Sequence, residues 1–277
     1  HGLLSSKFGV SGDMMEIYLH IAKHLVPYCQ SLLVFSGYRQ KIYSSVFCRH
    51  WDKRKNYWVS AAKLPSPRID CAVMSPHPGL IVCAGGIDDH PSVGTPLETV
   101  VSFDTLTDEW TKLPSMNIRR HGCCGAFCDG RLYVFGGAYA EVASSTTILE
   151  AAQNGLPFFE HLDVRSKEAK WVPGSRKHLS MESTDRLFAS CGKIANGKIV
   201  LAGGEVPRAN SSVRQRYSFE YRLDTVFEAV NTCLAYDPVK NCFDPVAAMN
   251  DARIGAAYCV YEGCLVVAGG QNQRGET

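Results

Sequence analysis

The sequence predicts an all-β protein made of four-stranded antiparallel sheets stacked around a common axis, and three recurring features predict it. Five apolar runs end in a pair of small residues, at Ser36-Gly37, Gly85-Gly86, Gly136-Gly137, Gly203-Gly204 and Gly269-Gly270. After each of the first four, an apolar or aromatic residue precedes an aspartate and another aromatic follows. These are Trp51-Asp52 to Trp58, Phe103-Asp104 to Trp110, Leu162-Asp163 to Trp171, and Tyr236-Asp237 to Phe243. The third feature is an arginine leading into a small-residue stretch, at Arg68, Arg120, Arg186 and Arg253. Self-similarity at a period of tens of residues marks a repeat architecture.

The intervals separate framework from loop. From each arginine to the second glycine of the next pair the distance is 17 or 18 residues, and three of the four aspartate-to-aromatic distances are 6. From the small-residue pair to the aspartate it grows from 15 to 18, 26 and 33 along the chain. Constant segments are framework, and the elastic one is a surface connection that tolerates insertion. Each unit therefore reads as four strands. The first follows the arginine and is rich in small residues (122–127, 189–192, 255–258). The second runs into the glycine pair. The third ends at the aspartate, where Asp104-Thr105-Leu106-Thr107 and Asp237-Pro238-Val239-Lys240 supply turn chemistry. The fourth starts at the aromatic. Small side chains suit a strand beside a crowded axis, and bulky aromatics suit the outer strands where sheets pack face to face.

These residues resemble the kelch repeat, most closely over 97–137, where "Leu-Glu-Thr-Val-Val-Ser-Phe-Asp", "Trp-Thr-Lys-Leu-Pro-Ser-Met", "Arg-Arg-His-Gly" and "Gly-Arg-Leu-Tyr-Val-Phe-Gly-Gly" occur in kelch order. The resemblance covers 32–277 and is greatest to the propeller of animal BTB–BACK–kelch proteins. It implies a kelch-type β-propeller with about four and a half blades of a ring of six. Residues 1–31 flank it, and helical spacing over 13–26, with Asp13 as N-cap and Pro27 at the end, reads as a short helix or a first-blade strand. Ser36 replaces a glycine, Phe243 replaces a tryptophan, and the inserts after Gly137 and Gly204 are long. An unclosed ring of this kind would leave strand edges and a blade face uncovered.

Composition narrows the function. A net charge of +2 over 277 residues is too weak for a protein built to neutralise nucleic-acid phosphates, and no apolar run approaches the ~20 residues that span a bilayer. Most of the twelve cysteines lie in apolar strand-like runs, where a free thiol behaves as a small hydrophobe, and thiols in such number point to a cytoplasmic address. His121, Cys123, Cys124 and Cys128 lack a second ligand pair at zinc spacing, and His20 with His24 lacks a third ligand, so no metal or cofactor is expected. Neither a nucleophile elbow, nor a phosphate-cradling loop, nor a paired-histidine motif occurs, so the chain reads as a non-enzymatic binding module.

In a four-stranded meander the 2–3 turns share one face with the 4–1 connections between blades. That face is expected to carry Tyr38, Arg39, Arg68, Arg119, Arg120, Arg186, Arg214, Arg216, Tyr217, Arg253, Gln271 and Asn272. Arginine and tyrosine are frequent interface hot-spot residues, and an arginine-rich face suits an acidic or phosphorylated peptide segment. The competing reading of Arg68, Arg120, Arg186 and Arg253 is that they brace the blades, since they recur at a framework position. The resemblance implies a substrate receptor of a cullin-based ubiquitin ligase, reaching the cullin only through a BTB domain elsewhere in the protein. An actin-associated or scaffolding kelch protein is the alternative, and a sugar-mutarotase-type enzyme a more distant one.

Overall fold

The computed structural model describes residues 33–35, 48–52, 55–88, 94–137, 158–174, 186–208, 226–272 and 274, and every element among them is a strand. Three complete blades lie among the described residues. Blade two is β4 (Ala72–His77), β5 (Leu80–Ala84), β6 (Val100–Asp104) and β7 (Glu109–Leu113), hydrogen-bonded in chain order. Blade three repeats this meander with β8 (Cys124–Cys128), β9 (Arg131–Phe135), β10 (Phe159–Asp163) and β11 (Trp171–Pro173). Blade four uses β12 (Ser190–Lys193), β13 (Ile199–Ala202), β16 (Cys233–Asp237) and β17 (Cys242–Val246). Blade one contributes three strands, β1 (Leu33–Phe35), β2 (Cys48–Asp52) and β3 (Tyr57–Ala61), and blade five two, β18 (Ala257–Tyr261) and β19 (Cys264–Ala268). The segment 1–31 lies outside the described residues.

The first strands β4, β8, β12 and β18 pack in sequence along the inner edge of the arc. β8, β12 and β18 start one to two residues later than the small-residue pattern suggests. Gly122 and Gly255 have φ of 62° and 61°, so they turn the chain into the strand instead of extending it. The insert after Gly204 is also more than loop. It carries a separate hairpin, β14 (Glu205–Arg208) with β15 (Val226–Ala229), between the second and third strands of blade four. At the other end of each of the three complete blades the aspartate caps the 3–4 turn. Asp104 accepts from the Leu106 N–H at 2.8 Å, Asp163 from Arg165 at 3.0 Å, and Asp237 from Val239 and Lys240 at 3.0 Å each.

Core material lies between blades. Met74, Val82, Leu132, Val134, Leu162 and Trp171 join blades two and three, while Phe135, Phe158, Phe159, Tyr236 and Phe243 join three and four. Trp110 and Trp171 also donate their indole N–H groups backwards across the junction, to the Ala62 carbonyl (2.9 Å) and the Pro114 carbonyl (2.8 Å). Phe243 has no such donor and packs instead among aromatic rings, 4.8 Å from Tyr236 and 5.6 Å from Phe158 between centroids.

The glycine pair lets one blade's backbone touch the next. A Cβ on Gly136 would lie far inside contact distance of the Arg186 carbonyl oxygen, and the residue holds φ at 63°. Gly197 has a similar left-handed φ, 82°, with open space around it. Gly197→Ala is therefore predicted to lose only the conformational cost of about 1–2 kcal/mol. Gly136→Ala should lose about 1–3 kcal/mol more through the steric conflict. Urea unfolding of both variants checks this; equal midpoints would show that close approach at Gly136 is unimportant.

Candidate functional site

The face made by the 2–3 turns and the 4–1 connections is built on a repeated junction. Each arginine hydrogen-bonds within its own blade, and Arg120, Arg186 and Arg253 are themselves gripped by the blade before. Arg68 donates to the carbonyls of Gly85 (3.2 Å) and Thr99 (3.1 Å), and to the Thr99 hydroxyl (3.0 Å). Arg186 repeats this on Gly203 (2.9 Å), the Thr232 carbonyl (2.6 Å) and the Thr232 hydroxyl (2.9 Å). Arg253 reaches Gly269 at 2.7 Å. In the opposite direction, the N–H groups of Gly86, Gly137 and Gly204 donate to the carbonyls of Arg120, Arg186 and Arg253, at 2.7, 3.0 and 2.7 Å. One residue thus ties two strands of its own blade and fastens the neighbouring one.

Blade three departs from this pattern. Phe158 stands where blades two and four have Thr99 and Thr232, so no hydroxyl is available. Arg120 donates to the Gly136 carbonyl (2.7 Å) and the Phe158 carbonyl (3.1 Å), and turns its remaining donors to Glu160, at 3.3 and 3.4 Å. Both partners of this ion pair are 0% exposed. Asn117 completes the carboxylate's shell through its backbone N–H (2.8 Å) and side-chain amide (2.7 Å). The positions equivalent to Glu160 in the other complete blades are Val101 and Leu234, both core residues. Nothing in the repeat pattern flagged Glu160; a lone carboxylate on an otherwise apolar strand position was the available signal.

These contacts correct the expected recognition surface. Arg68, Arg120 and Arg186 are 1%, 0% and 2% exposed, so their guanidinium groups face the interior and brace the blades. Burial pulls Arg186 down to about 10, which still leaves it charged near neutrality. Arg253 is half-buried, with Asp251 3.4 Å from it. Arg119 is exposed, but its Nε lies 2.9 Å from Glu98. Gln271 is exposed and its backbone pairs with Ile254; Asn272 is half-buried and accepts from the Arg274 N–H at 2.8 Å. Tyr38, Arg39, Arg214, Arg216 and Tyr217 lie outside the described residues. No group of metal-ligating side chains converges among the described residues, and Cys123, Cys124 and Cys128 are buried free thiols.

Two buried titratable groups sit beside this framework. His121, which follows Arg120, is pushed down by burial to about 4, and Glu205, which follows the Gly203-Gly204 pair, is pushed up by burial to about 7.

Comparison with known proteins agrees with this geometry. Residues 70–117 match the kelch motif family. The chain is 24% identical over 268 residues to human Kelch-like protein 23, an alignment covering 87% of this chain and 43% of that protein. It is 35% identical over 123 residues to the Arabidopsis thaliana F-box/kelch-repeat protein At1g26930, covering 44% and 27%. A third relative is the cowpox virus Kelch repeat and BTB domain-containing protein 1, 34% identical over 80 residues, covering 29% and 14%. The chain thus spans less than half the length of each of these relatives.

Two predictions follow from the buried groups. Glu160→Ala strands the Arg120 charge in the core and should cost about 3–5 kcal/mol, whereas Arg120→Met combined with Glu160→Leu should cost clearly less. Denaturant unfolding of both variants decides; equal losses would mean that the stranded charge is not the cause. For pH, the unfolded chain protonates His121 near 6.5 and the fold near 4, so the fold binds fewer protons between these values and loses stability as pH falls through them. Glu205 acts oppositely, keeping in the fold a proton the unfolded chain releases above 4.5, so it costs stability as pH rises toward 7. His121→Phe should therefore reduce the loss of stability on going from pH 7 to pH 5, and Glu205→Gln should enlarge it, as read from denaturant midpoints at both pH values.

Proposed function

This chain is a kelch-repeat propeller, and we propose that it is a non-enzymatic protein-binding module whose partner docks on the face of the 2–3 turns and 4–1 connections. One observation carries the reading. The arginine–glycine junctions hold the blades in a fixed relation at this face, while the 2–3 connections mounted on them vary in length and, in blade four, include the β14–β15 hairpin. A rigid frame presenting dissimilar loops is a recognition architecture.

The bound segment is acidic or phosphorylated and is met by Arg39, Arg119, Arg214 and Arg216, together with Tyr38, Tyr217, Gln271 and Asn272. The framework arginines contribute indirectly, by holding the loops. Names such as F-box/kelch-repeat protein and Kelch repeat and BTB domain-containing protein set such repeats beside an F-box or a BTB domain in the relatives. On that support, the whole protein serves as substrate receptor of a cullin-based ubiquitin ligase in the cytoplasm, with the cullin contact made through a BTB domain. Association with actin or another scaffold is the second reading, and it makes use of the same face.

Arg39→Glu with Arg119→Glu is predicted to reduce recovery of the partner captured by the unaltered chain about tenfold or more, with the unfolding midpoint preserved. Quantitative pull-down measures this, and equal recovery would remove the loop cations from the interface.

A further inference from the structure

Blade two carries a thiol pair that the repeat does not call for. Cys71 stands three residues after Arg68, where blades four and five have Ala189 and Ala256. Cys83 stands two residues before Gly85, where blades three, four and five have Val134, Leu201 and Val267. Blade three keeps a cysteine, Cys123, at the first position only. The strand register brings the blade-two pair together. Ala72 pairs with Ala84 and Val73 with Cys83, so Cys71 is a diagonal neighbour of Cys83 on the same face of the sheet. There Cys71 packs against the cluster of Leu64, Cys83 and Val101, and the Cys83 thiol donates a hydrogen bond to the Cys71 sulfur.

The two sulfurs differ in what can reach them. Cys83 is 0% exposed, whereas Cys71 is half-buried. Cys71 also precedes β4, so its backbone lies outside the ladder that fixes Cys83 within β5. The hydrogen bond from Cys83 draws the Cys71 thiol below its ordinary range, and the Arg68 guanidinium acts in the same direction. Burial pushes Cys83 well above that range. A reachable sulfur that favours the thiolate therefore rests on a sheltered one that keeps its proton. Cys124 and Cys191 make a second thiol contact, but both are buried and neither meets a reagent from solvent first.

We propose that Cys71 and Cys83 form a redox modification site, in which a peroxide oxidises Cys71 and Cys83 resolves the product as a disulfide. This site stands apart from the partner-binding reading. The Cys71 thiolate sulfur attacks one oxygen of hydrogen peroxide, the O–O bond breaks, and the other oxygen leaves as hydroxide, which takes up a proton to become water. The sulfur, oxidised by two electrons, is now a sulfenic acid, and the peroxide is reduced. The Cys83 sulfur then attacks the Cys71 sulfur. The S–O bond breaks, and the departing hydroxide leaves with the Cys83 proton as a second water. Diagonal neighbours stand farther apart than a disulfide permits, and Cys71, free of the ladder, moves inward to close the gap. The bond ties the start of β4 to β5 beside Gly85, whose carbonyl Arg68 holds.

The test treats the folded chain with limiting hydrogen peroxide, alkylates the remaining thiols and maps the peptides by mass spectrometry. The expected product is a linked peptide pair containing Cys71 and Cys83, returned to free thiols by dithiothreitol. Cys71 should be consumed about tenfold faster than Cys264, the more exposed thiol. In Cys83→Ala the oxidation should stop at the sulfenic acid, captured on Cys71 by dimedone. Cys71→Ala should leave Cys83 reduced. The mapping of the unaltered chain does not depend on either variant folding. Oxidation that falls first on Cys264, a disulfide from Cys71 to another cysteine, or no linkage between Cys71 and Cys83 would each overturn the site.

Discussion

Everything in this arc of blades depends on one junction, in which a buried arginine side chain ties two strands of its own blade while its carbonyl receives an N–H from the glycine pair of the blade before. The geometry requires both partners. Only glycine allows the two backbones to come close enough at φ between 63° and 98°, and only arginine has enough directed donors to reach two carbonyls and a hydroxyl from one position. Hydrophobic burial between blades supplies bulk cohesion, but it is non-directional. The junction sets the angle at which one sheet meets the next.

Blade three shows how tightly this constraint holds. When phenylalanine takes the place of the threonine that normally receives the arginine, the site does not leave the guanidinium donors unmet. A glutamate two residues along the same strand enters the core, and Asn117 satisfies the rest of its carboxylate. An ion pair with both members fully buried is costly to assemble and more costly to break, so the substitution keeps the junction at the expense of an apolar core position. The same junction divides the face proposed for recognition: the framework arginines Arg68, Arg120 and Arg186 are committed inward, and under that proposal partner chemistry falls to the connections of variable length.

Much of the fold was legible from the chain. The constant arginine-to-glycine interval, the aspartate capping each 3–4 turn and the aromatic on each fourth strand predicted the meander and its chain-order pairing, because these features are local or recur at fixed separations. The hairpin after Gly204 was not legible, since 205–208 and 226–229 are short, lie far apart in sequence and carry no turn signature of their own. The candidate site was read less well. Arg68, Arg120 and Arg186 looked like surface cations because composition records charge and not direction, and the bracing alternative rested on their periodicity alone.

What the sequence determined by itself was the period: which residues recur, at what spacing, and hence four short antiparallel strands per unit. Tertiary structure decided which cations face water and which carboxylate enters the core. The reason is physical. Strand periodicity and turn chemistry act between residues near in sequence, whereas burial and ion pairing come into existence only when separate blades are brought side by side.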